Sequence, residues 1–228
     1  MEEDKKNDLS VARKAYSDGD FQRARQIWES QAKQGNAEAQ AWLGSLYANG
    51  DGVEVDDAIA LTWYEKAAEQ DYPMAQANIG AMYYMGQGTK VDLGKAVYWL
   101  SAAADNGDVN GLFNLAVLYT KGDGVDEDLG LAASSYQKAA EQGHYPSQSR
   151  LGYMYAHGQG VKKDRVQAYL WLTLAAQHGI GTALTALESV VKSMSSEEKS
   201  MGASLFEQWR NKTGADNIQV AIHPSPSN

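Results

Sequence analysis

The sequence contains no cysteine, and no apolar stretch in it is long enough to span a bilayer. The missing cysteines exclude a disulfide framework, a thiolate metal site and a cysteine nucleophile, and they leave the redox compartment undetermined. Because 43% of the residues are hydrophobic, the chain can bury a substantial core.

Positive charge is also scarce, since 20 Lys and Arg residues stand against 29 Asp and Glu residues and the formal net charge is -9. No run of Lys or Arg is longer than two residues. This balance makes nucleic acid and anionic lipid poor partners, so we expect neither nucleic-acid binding nor membrane insertion. A basic or neutral protein surface is a better match.

The chain instead has a pattern that returns with a period of 36 residues and no insertions, beginning at Asn36, Tyr72, Asp108 and His144. Each copy holds two helical patterns and no strand pattern, which is typical of a helix hairpin that stacks into a solenoid. We name the first helix of each hairpin helix A and the second helix B. The pattern predicts an all-α fold of twelve helices in six hairpins.

We expect one continuous solenoid over residues 9–211, with a flexible start and a disordered polar tail. Its predicted parts are a starting cap hairpin at 9–35, full repeats at 36–71, 72–107, 108–143 and 144–179, a closing cap hairpin at 180–211, and the flanks 1–8 and 212–228.

Helix A of every full copy carries a small residue, an aliphatic residue four positions later and a tyrosine four positions after that. This spacing puts the three side chains on one face, which we predict to be the core face. They are Ala39, Leu43 and Tyr47; Ala75, Ile79 and Tyr83; Gly111, Leu115 and Tyr119; and Ser147, Leu151 and Tyr155. Beside the aliphatic residue stand Gly44, Gly80, Ala116 and Gly152. A mid-helix glycine costs about 1 kcal/mol relative to alanine, so we predict that a closely packed neighbouring helix compensates.

The turns and helix B repeat equally well. Helix A ends in Gly-x-Gly, an aspartate caps helix B, and a buried alanine follows four residues later. The aspartates are Asp56, Asp92, Asp128 and Asp164, and the alanines are Ala60, Ala96, Ala132 and Ala168. In the starting hairpin Asp20 takes the cap position, and in the closing hairpin Ser195 and Glu198 form a predicted capping box.

These residues resemble Sel1-like repeats, which are relatives of the tetratricopeptide repeat. The resemblance is carried by the stretch from Ala39 to Val53, by Trp63-Tyr64-Glu65-Lys66-Ala67-Ala68, and by their counterparts in the other copies. It implies a right-handed superhelix, a scaffold or adaptor that binds a protein or peptide, and no shared chemistry. Some members carry a disulfide in every repeat, and this chain, which has no cysteine, departs from that branch.

The starting hairpin is similar to the starts of bacterial, often exported, members of the family. The resemblance therefore favours a periplasmic or secreted bacterial protein, whose signal peptide would precede this sequence, over a cytoplasmic one. We expect a monomer. Two alternatives to an adaptor stay open: a structural component of an envelope or secretion assembly, and a hydrolase-like enzyme.

Three stretches resemble chemical sites without meeting their requirements. Gly86-Gln87-Gly88-Thr89-Lys90 lacks the spacing and the preceding strand of a phosphate loop. The acidic turn at 123–128 lacks the ligand spacing of an EF-hand loop. The four histidines are isolated from one another. We expect no catalytic residue, no cofactor and no metal.

The candidate binding site comes from positions where the copies differ, on the face of helix A opposite the core. In a solenoid of helix pairs helix A lines the concave side, so this face is predicted to be exposed there. Large apolar and aromatic side chains on a non-core face indicate an anchor for a partner. The predicted partner-binding residues are Tyr84, Met85, Phe113, Val117, Lys121, Tyr153 and His157. The alternative is that curvature buries them between adjacent A helices.

Overall fold

The computed structural model describes residues 9–213, and within that range it contains twelve α-helices and no strand, as the sequence predicts. The helices are α1 Leu9–Ser17, α2 Phe21–Lys33, α3 Ala37–Asn49, α4 Asp57–Ala68, α5 Pro73–Met85, α6 Leu93–Asp105, α7 Val109–Lys121, α8 Leu129–Glu141, α9 Tyr145–His157, α10 Arg165–Gln177, α11 Gly181–Ser193 and α12 Ser196–Thr213. Odd-numbered helices are A helices and even-numbered helices are B helices. The predicted flexible start, 1–8, and residues 214–228 of the predicted tail lie outside the described residues.

The fold is a helical repeat solenoid, and its internal contacts group residues 9–111 into a first compact unit and residues 112–213 into a second. In the first unit one core cluster surrounds Trp28 and Trp42, whose rings stack with centroids 4.9 Å apart. A second cluster in this unit surrounds Tyr64, Ile79 and Tyr83.

The second unit has two core clusters of its own. One surrounds Tyr136, Leu151 and Trp171, and Trp209 of α12 closes it edge-on to Trp171 with ring centroids 4.8 Å apart. The other surrounds Leu172 and Val190 and fills the space between α10 and α11. No helix in residues 9–213 is long and apolar enough to cross a membrane.

The predicted core face of helix A is confirmed for its small and aliphatic residues, all of which are buried. The tyrosines lie nearer the helix ends, so only Tyr83 is buried and the other three are half-buried. The glycines beside the aliphatic residues have the predicted role. A Cβ at Gly44 would lie 2.7 Å from the Tyr64 ring, and a Cβ at Gly152 would lie 2.7 Å from Leu172 Cγ. These distances are shorter than van der Waals contact, so only glycine allows the two helices to pack this closely.

The predicted caps are also confirmed. Asp56, Asp92 and Asp128 each accept a hydrogen bond 2.9 Å long from the backbone N–H three residues later. At the start of α12 the Ser195 N–H donates to Glu198 Oε2, and the Glu198 N–H donates to Ser195 Oγ, which is the capping box.

A buried glutamine that the sequence analysis did not single out joins helix A to the preceding helix B in three of the four full copies. The side-chain amides of Gln40, Gln76 and Gln148 donate to the carbonyl oxygens of Ala32, Ala68 and Ala140 over 3.1 to 3.4 Å. Each acceptor is a carbonyl near a helix end, where helix geometry leaves it without an intrahelical partner. The third copy has Leu112 at this register position.

Candidate partner-binding surface on the A helices

The prediction that the outer face of helix A is exposed is wrong for α3 and for part of α5. Ala41 and Ser45 of α3 are fully buried, and Ala77 of α5 is nearly so. Ala41 belongs to the cluster that contains Met74 and Ala75 of α5, and Ser45 Oγ lies 2.9 Å from the hydroxyl oxygen of Tyr64. The next A helix and the helix B of the same hairpin therefore cover this face, because the side chains on it are small enough to allow close approach.

Two predicted residues lie in the first unit. Tyr84 is half-buried and packs against the core cluster around Ile79. Met85, the last residue of α5, exposes 50% of its surface.

Phe113 and Val117 of α7, in the second unit, are half-buried and pack against the cluster around Tyr136. The Phe113 ring lies 5.7 Å from the Tyr136 ring and 5.0 Å from the His144 ring, measured between centroids. Lys121 is exposed, and its Nζ lies 4.0 Å from a carboxylate oxygen of Asp123. In α7 the outer face is thus partly used for packing, in line with the alternative left open above.

Tyr153 and His157 of α9 are the most exposed of the predicted aromatic residues, and Tyr153 exposes 45% of its surface. Their rings stack with centroids 4.0 Å apart. His157 Nδ1 lies 2.8 Å from the Tyr153 carbonyl oxygen, so the Nδ1–H donates this bond and the imidazole is fixed against the tyrosine.

An open groove of about 900 Å³ lies between α9 and α11 in the second unit. It brings together Phe113, Tyr153 and His157 of the predicted set, whereas Val117 and Lys121 do not line it. Ala156, Ile180 and Ala186 form apolar parts of the wall, above the buried Leu172, and the hydroxyl-bearing residues are Ser149, Thr182, Thr185, Ser189 and Ser193. A pocket of this size is within the range of ligand-binding clefts.

Every charged side chain that lines the groove is basic. The three are Arg150, Lys163 and Arg165, and no Asp or Glu residue lines it. Arg165 is partly neutralised because its Nη1 donates to Glu198 Oε2 at 3.1 Å and to the Ser193 carbonyl oxygen at 2.9 Å. Within residues 9–213 neither Arg150 nor Lys163 forms an ion pair.

The sequence analysis missed the α11 wall and the basic residues. The signal for the wall was present, because Thr185 and Ser189 stand 36 residues after Ser149 and Tyr153 and continue the register into the closing hairpin. Arg150 could have been found as the residue three positions before Tyr153 on the same helix face. Lys163 lies in the turn before α10, where the register gives no such signal.

Eight side chains of the described residues have clearly shifted pKa values, and none of them lines the groove. The shifts are largest for three of them. Burial raises the pKa of Tyr64, and burial together with Asp51 raises the pKa of Tyr16 to about 12. Burial lowers the pKa of His144, the N-cap residue of α9, to about 4. In the described part of the chain no three His, Asp or Glu residues are grouped to hold a metal ion.

Comparison with known proteins gives one family. The model of the Sel1 repeat matches residues 37–72, 73–108, 109–144 and 146–180. A protective antigen of uropathogenic Escherichia coli with an SLR fold is 31% identical, with a TM-score of 0.77, and the match covers 90% of this chain and 46% of that protein. A Sel1 repeat protein from Oxalobacter formigenes is 38% identical, with a TM-score of 0.67, over 74% of this chain and 49% of that protein. This chain therefore spans about half the length of these relatives. The comparison with curated proteins gives no match.

Proposed function

Because this chain belongs to the Sel1 repeat family, whose members generally mediate protein–protein interactions, we propose that it is a non-catalytic adaptor that binds a peptide or protein segment on its A-helix side. The observation that carries the proposal is the groove between α9 and α11, which holds the exposed Tyr153. An exposed aromatic side chain within a concave apolar surface is the kind of residue that dominates binding energy at protein interfaces.

The chemistry of the groove favours binding over catalysis. Catalytic sites are where desolvation and charged neighbours shift pKa values strongly, and the side chains with the largest shifts among the described residues, Tyr16, Tyr64 and His144, lie outside the groove lining. The groove offers hydroxyl groups and cations beside apolar wall, which suits reversible recognition of a chain segment.

A structural role in a larger assembly is the second candidate, and exposed apolar side chains of the first unit favour it. Val55, Val91 and Tyr98 each expose more than half of their surface in the turns before helix B and on helix B. Under this candidate Val55→Ser and Val91→Ser would reduce recovery of the chain with a large assembly after gradient sedimentation of a native extract. If both variants sedimented like the wild type, this candidate would fail.

The relatives are bacterial proteins, and we propose a periplasmic or secreted location for this one, as a monomer. Fractionation of the producing cells with antibody detection tests the location, and light scattering tests the monomer. Recovery with cytoplasmic markers, or a dimer at micromolar concentration, would contradict these two statements.

Selection from a random-peptide display library on the immobilised full chain tests the adaptor function. We expect enriched peptides whose affinity for Tyr153→Ala is lower by about 1 kcal/mol or more, with the melting temperature of this variant nearly unchanged. Phe113→Ala should lower both affinity and stability, because the Phe113 ring also packs on Tyr136 and His144.

Tyr98→Ala is the matched control, because Tyr98 is a still more exposed tyrosine that does not line the groove. Its affinity for the selected peptides should equal that of the wild type. The proposal fails if no peptide is enriched, or if Tyr153→Ala and Tyr98→Ala bind the peptides as tightly as the wild type.

A further inference from the structure

We propose that the groove between α9 and α11 selects an acidic peptide segment that carries one apolar anchor residue. This inference rests on the proposed adaptor function and specifies the chemistry of the partner. Three observations support it: the charges around the groove are positive, two of the basic side chains have no ion-pair partner within the described residues, and the groove has an apolar wall beside an exposed tyrosine.

The local charge around the groove is opposite to that of the whole chain. Residues 145–193, which span α9 to α11, contain five Lys or Arg residues and two Asp or Glu residues, a local net charge of +3 in a chain of net charge -9. A cleft with walls of one charge sign concentrates partners of the other sign. A basic partner, which the overall composition alone would favour, would be repelled at this site.

Two of the cations are available to a partner. Arg150 and Lys163 line the groove and have no ion pair within the described residues, whereas Arg165 is held by Glu198 and the Ser193 carbonyl oxygen. Arg150 extends from α9 and Lys163 from the turn before α10, so a carboxylate-bearing chain in the groove can meet both. Guanidinium groups bind carboxylates through paired hydrogen bonds, and ammonium groups bind them as point charges.

The apolar part of the groove supplies the anchor site. Tyr153 exposes 45% of its surface there, its ring is held by the stack on His157, and the half-buried Ala156, Ile180 and Ala186 complete the wall. A held aromatic ring loses little conformational entropy when a partner binds. The hydroxyl groups of Ser149, Thr185 and Ser189 stand on the two facing helices, where they can pair with the backbone of an extended peptide.

The experiment uses the full chain and the peptides from the display selection. We expect the enriched peptides to contain an excess of Asp and Glu near one aromatic or large aliphatic residue. The strongest peptide is then compared with a version in which Asp and Glu become Asn and Gln, and with a version in which the anchor becomes Ala. Each change should weaken binding about tenfold, which corresponds to about 1.4 kcal/mol.

Charge reversal in the protein tests the same point from the other side. Arg150→Glu and Lys163→Glu should each weaken the acidic peptide about tenfold and should bind the neutral version as the wild type does. Lys138→Glu is the matched control, because Lys138 is an exposed lysine of α8 in the same unit that does not line the groove. All three side chains are exposed, and none forms an ion pair within residues 9–213. A thermal melt checks that each variant is folded.

Salt gives an independent reading. The screening length falls from about 10 Å at 0.1 M to about 3 Å at 1 M ionic strength, so the affinity of the acidic peptide should fall over this range while that of the neutral version changes little.

Three results would overturn the inference and leave the adaptor function in place. The first is that the enriched peptides are neutral or basic, and the second is that the affinity of the acidic peptide does not depend on salt. The third is that the acidic peptide binds Arg150→Glu and Lys163→Glu as tightly as it binds Lys138→Glu. A fourth result, an oligothymidylate that binds as tightly as the acidic peptide and displaces it, would assign the groove to nucleic acid. If Tyr153→Ala left all peptide binding unchanged, the adaptor function itself would fail at this site.

Discussion

Helices α3 and α9 occupy the same register in the first and fourth copies, yet the outer face of α3 is buried and that of α9 is exposed. In the first copy Ser45 of α3 faces Tyr64 of α4, and Tyr64 is 1% exposed. In the fourth copy the equivalent pair is Tyr153 and Leu172, and it is Tyr153 that is exposed. The aromatic ring has changed sides, from the buried helix B to the outer face of helix A.

This difference shows how a repeat can acquire a binding surface without changing its fold. Both copies keep the glycine at which helix A and helix B approach closely, Gly44 in one and Gly152 in the other. In each copy one large side chain of helix B fills the space beside this glycine. In the first copy it is Tyr64, and in the fourth copy it is the aliphatic Leu172. Tyr153 of α9 therefore lies on the protein surface. In α3 the corresponding face carries small residues such as Ala41 and Ser45, and neighbouring helices cover it.

The largest expected effect is the difference in stability between removing the Tyr64 ring and removing the Tyr153 ring. Tyr64→Ala should lower the free energy of unfolding by about 3 to 5 kcal/mol, because it leaves a cavity in the core, whereas Tyr153→Ala should lower it by less than about 1 kcal/mol. Urea denaturation of both variants measures the difference. Equal losses would mean that α9 is covered as α3 is, and that its outer face is core.

The next largest effect on stability is expected at the helix A glycine that the two copies share. Gly44→Ala and Gly152→Ala should each cost about 1 to 3 kcal/mol, because the new Cβ would overlap Tyr64 or Leu172. Gly94→Ala is the control, since its Cβ would meet only Asp92 Oδ1 at 3.5 Å, and this change should be neutral or stabilise by up to about 1 kcal/mol. If all three variants melted alike, the close helix approach would not be what the glycines provide.

The N-caps of the two helices predict a pH dependence. The Asn36 side chain caps α3 and does not titrate, whereas His144 caps α9 by accepting from the Ser147 N–H, and burial lowers the pKa of His144 from 6.5 to about 4. The folded state favours the neutral imidazole, so its stabilising contribution is complete above pH 6.5 and is lost as the pH falls toward 4.

We expect the wild type to lose roughly 2 kcal/mol of stability between pH 7 and pH 5 relative to His144→Asn, which keeps a capping oxygen. Urea denaturation at both pH values measures this. Parallel losses in the two proteins would show that His144 titrates normally in the folded state.

The smallest effect concerns the hydrogen bond between Ser45 and Tyr64, which the fourth copy lacks. Burial raises the pKa of the Tyr64 phenol, so this hydroxyl stays neutral and able to donate. Ser45→Ala and Tyr64→Phe should each cost about 1 kcal/mol, and the double variant should cost less than their sum. Tyr153→Phe should leave stability unchanged, and strict additivity of the first two would show that the buried hydroxyls do not stabilise each other.

The elements of the fold could be predicted because their signals are local. The aspartate caps of helix B, such as Asp56, and the close contacts at helix A glycines, such as Gly44, depend on residues within one hairpin. The hairpin pattern repeats four times in the sequence. The exposure of the outer face could not be predicted in the same way. Whether Ala41 or Tyr153 is covered depends on the size of residues in the next hairpin, and the register gives the position of a side chain but not its distance from a neighbouring helix.

The groove was found only in part for a similar reason. Phe113, Tyr153 and His157 follow from the four full copies, but Thr185 and Ser189 belong to the closing hairpin, where the Gly-x-Gly turn is missing and the register is harder to follow. The basic lining arises because Lys163, from the turn before α10, and Arg150, from α9, line the same groove. Such a neighbourhood is a property of the folded chain.

Hydrogen exchange of the full chain, with and without the strongest display-selected peptide, tests the central claim most directly, because it reports on α3 and α9 in one measurement. Our account predicts that the peptide slows amide exchange in α9 and α11 and leaves α3 and α5 unchanged. Slowed exchange in α3 and α5, with none in α9 or α11, would contradict it.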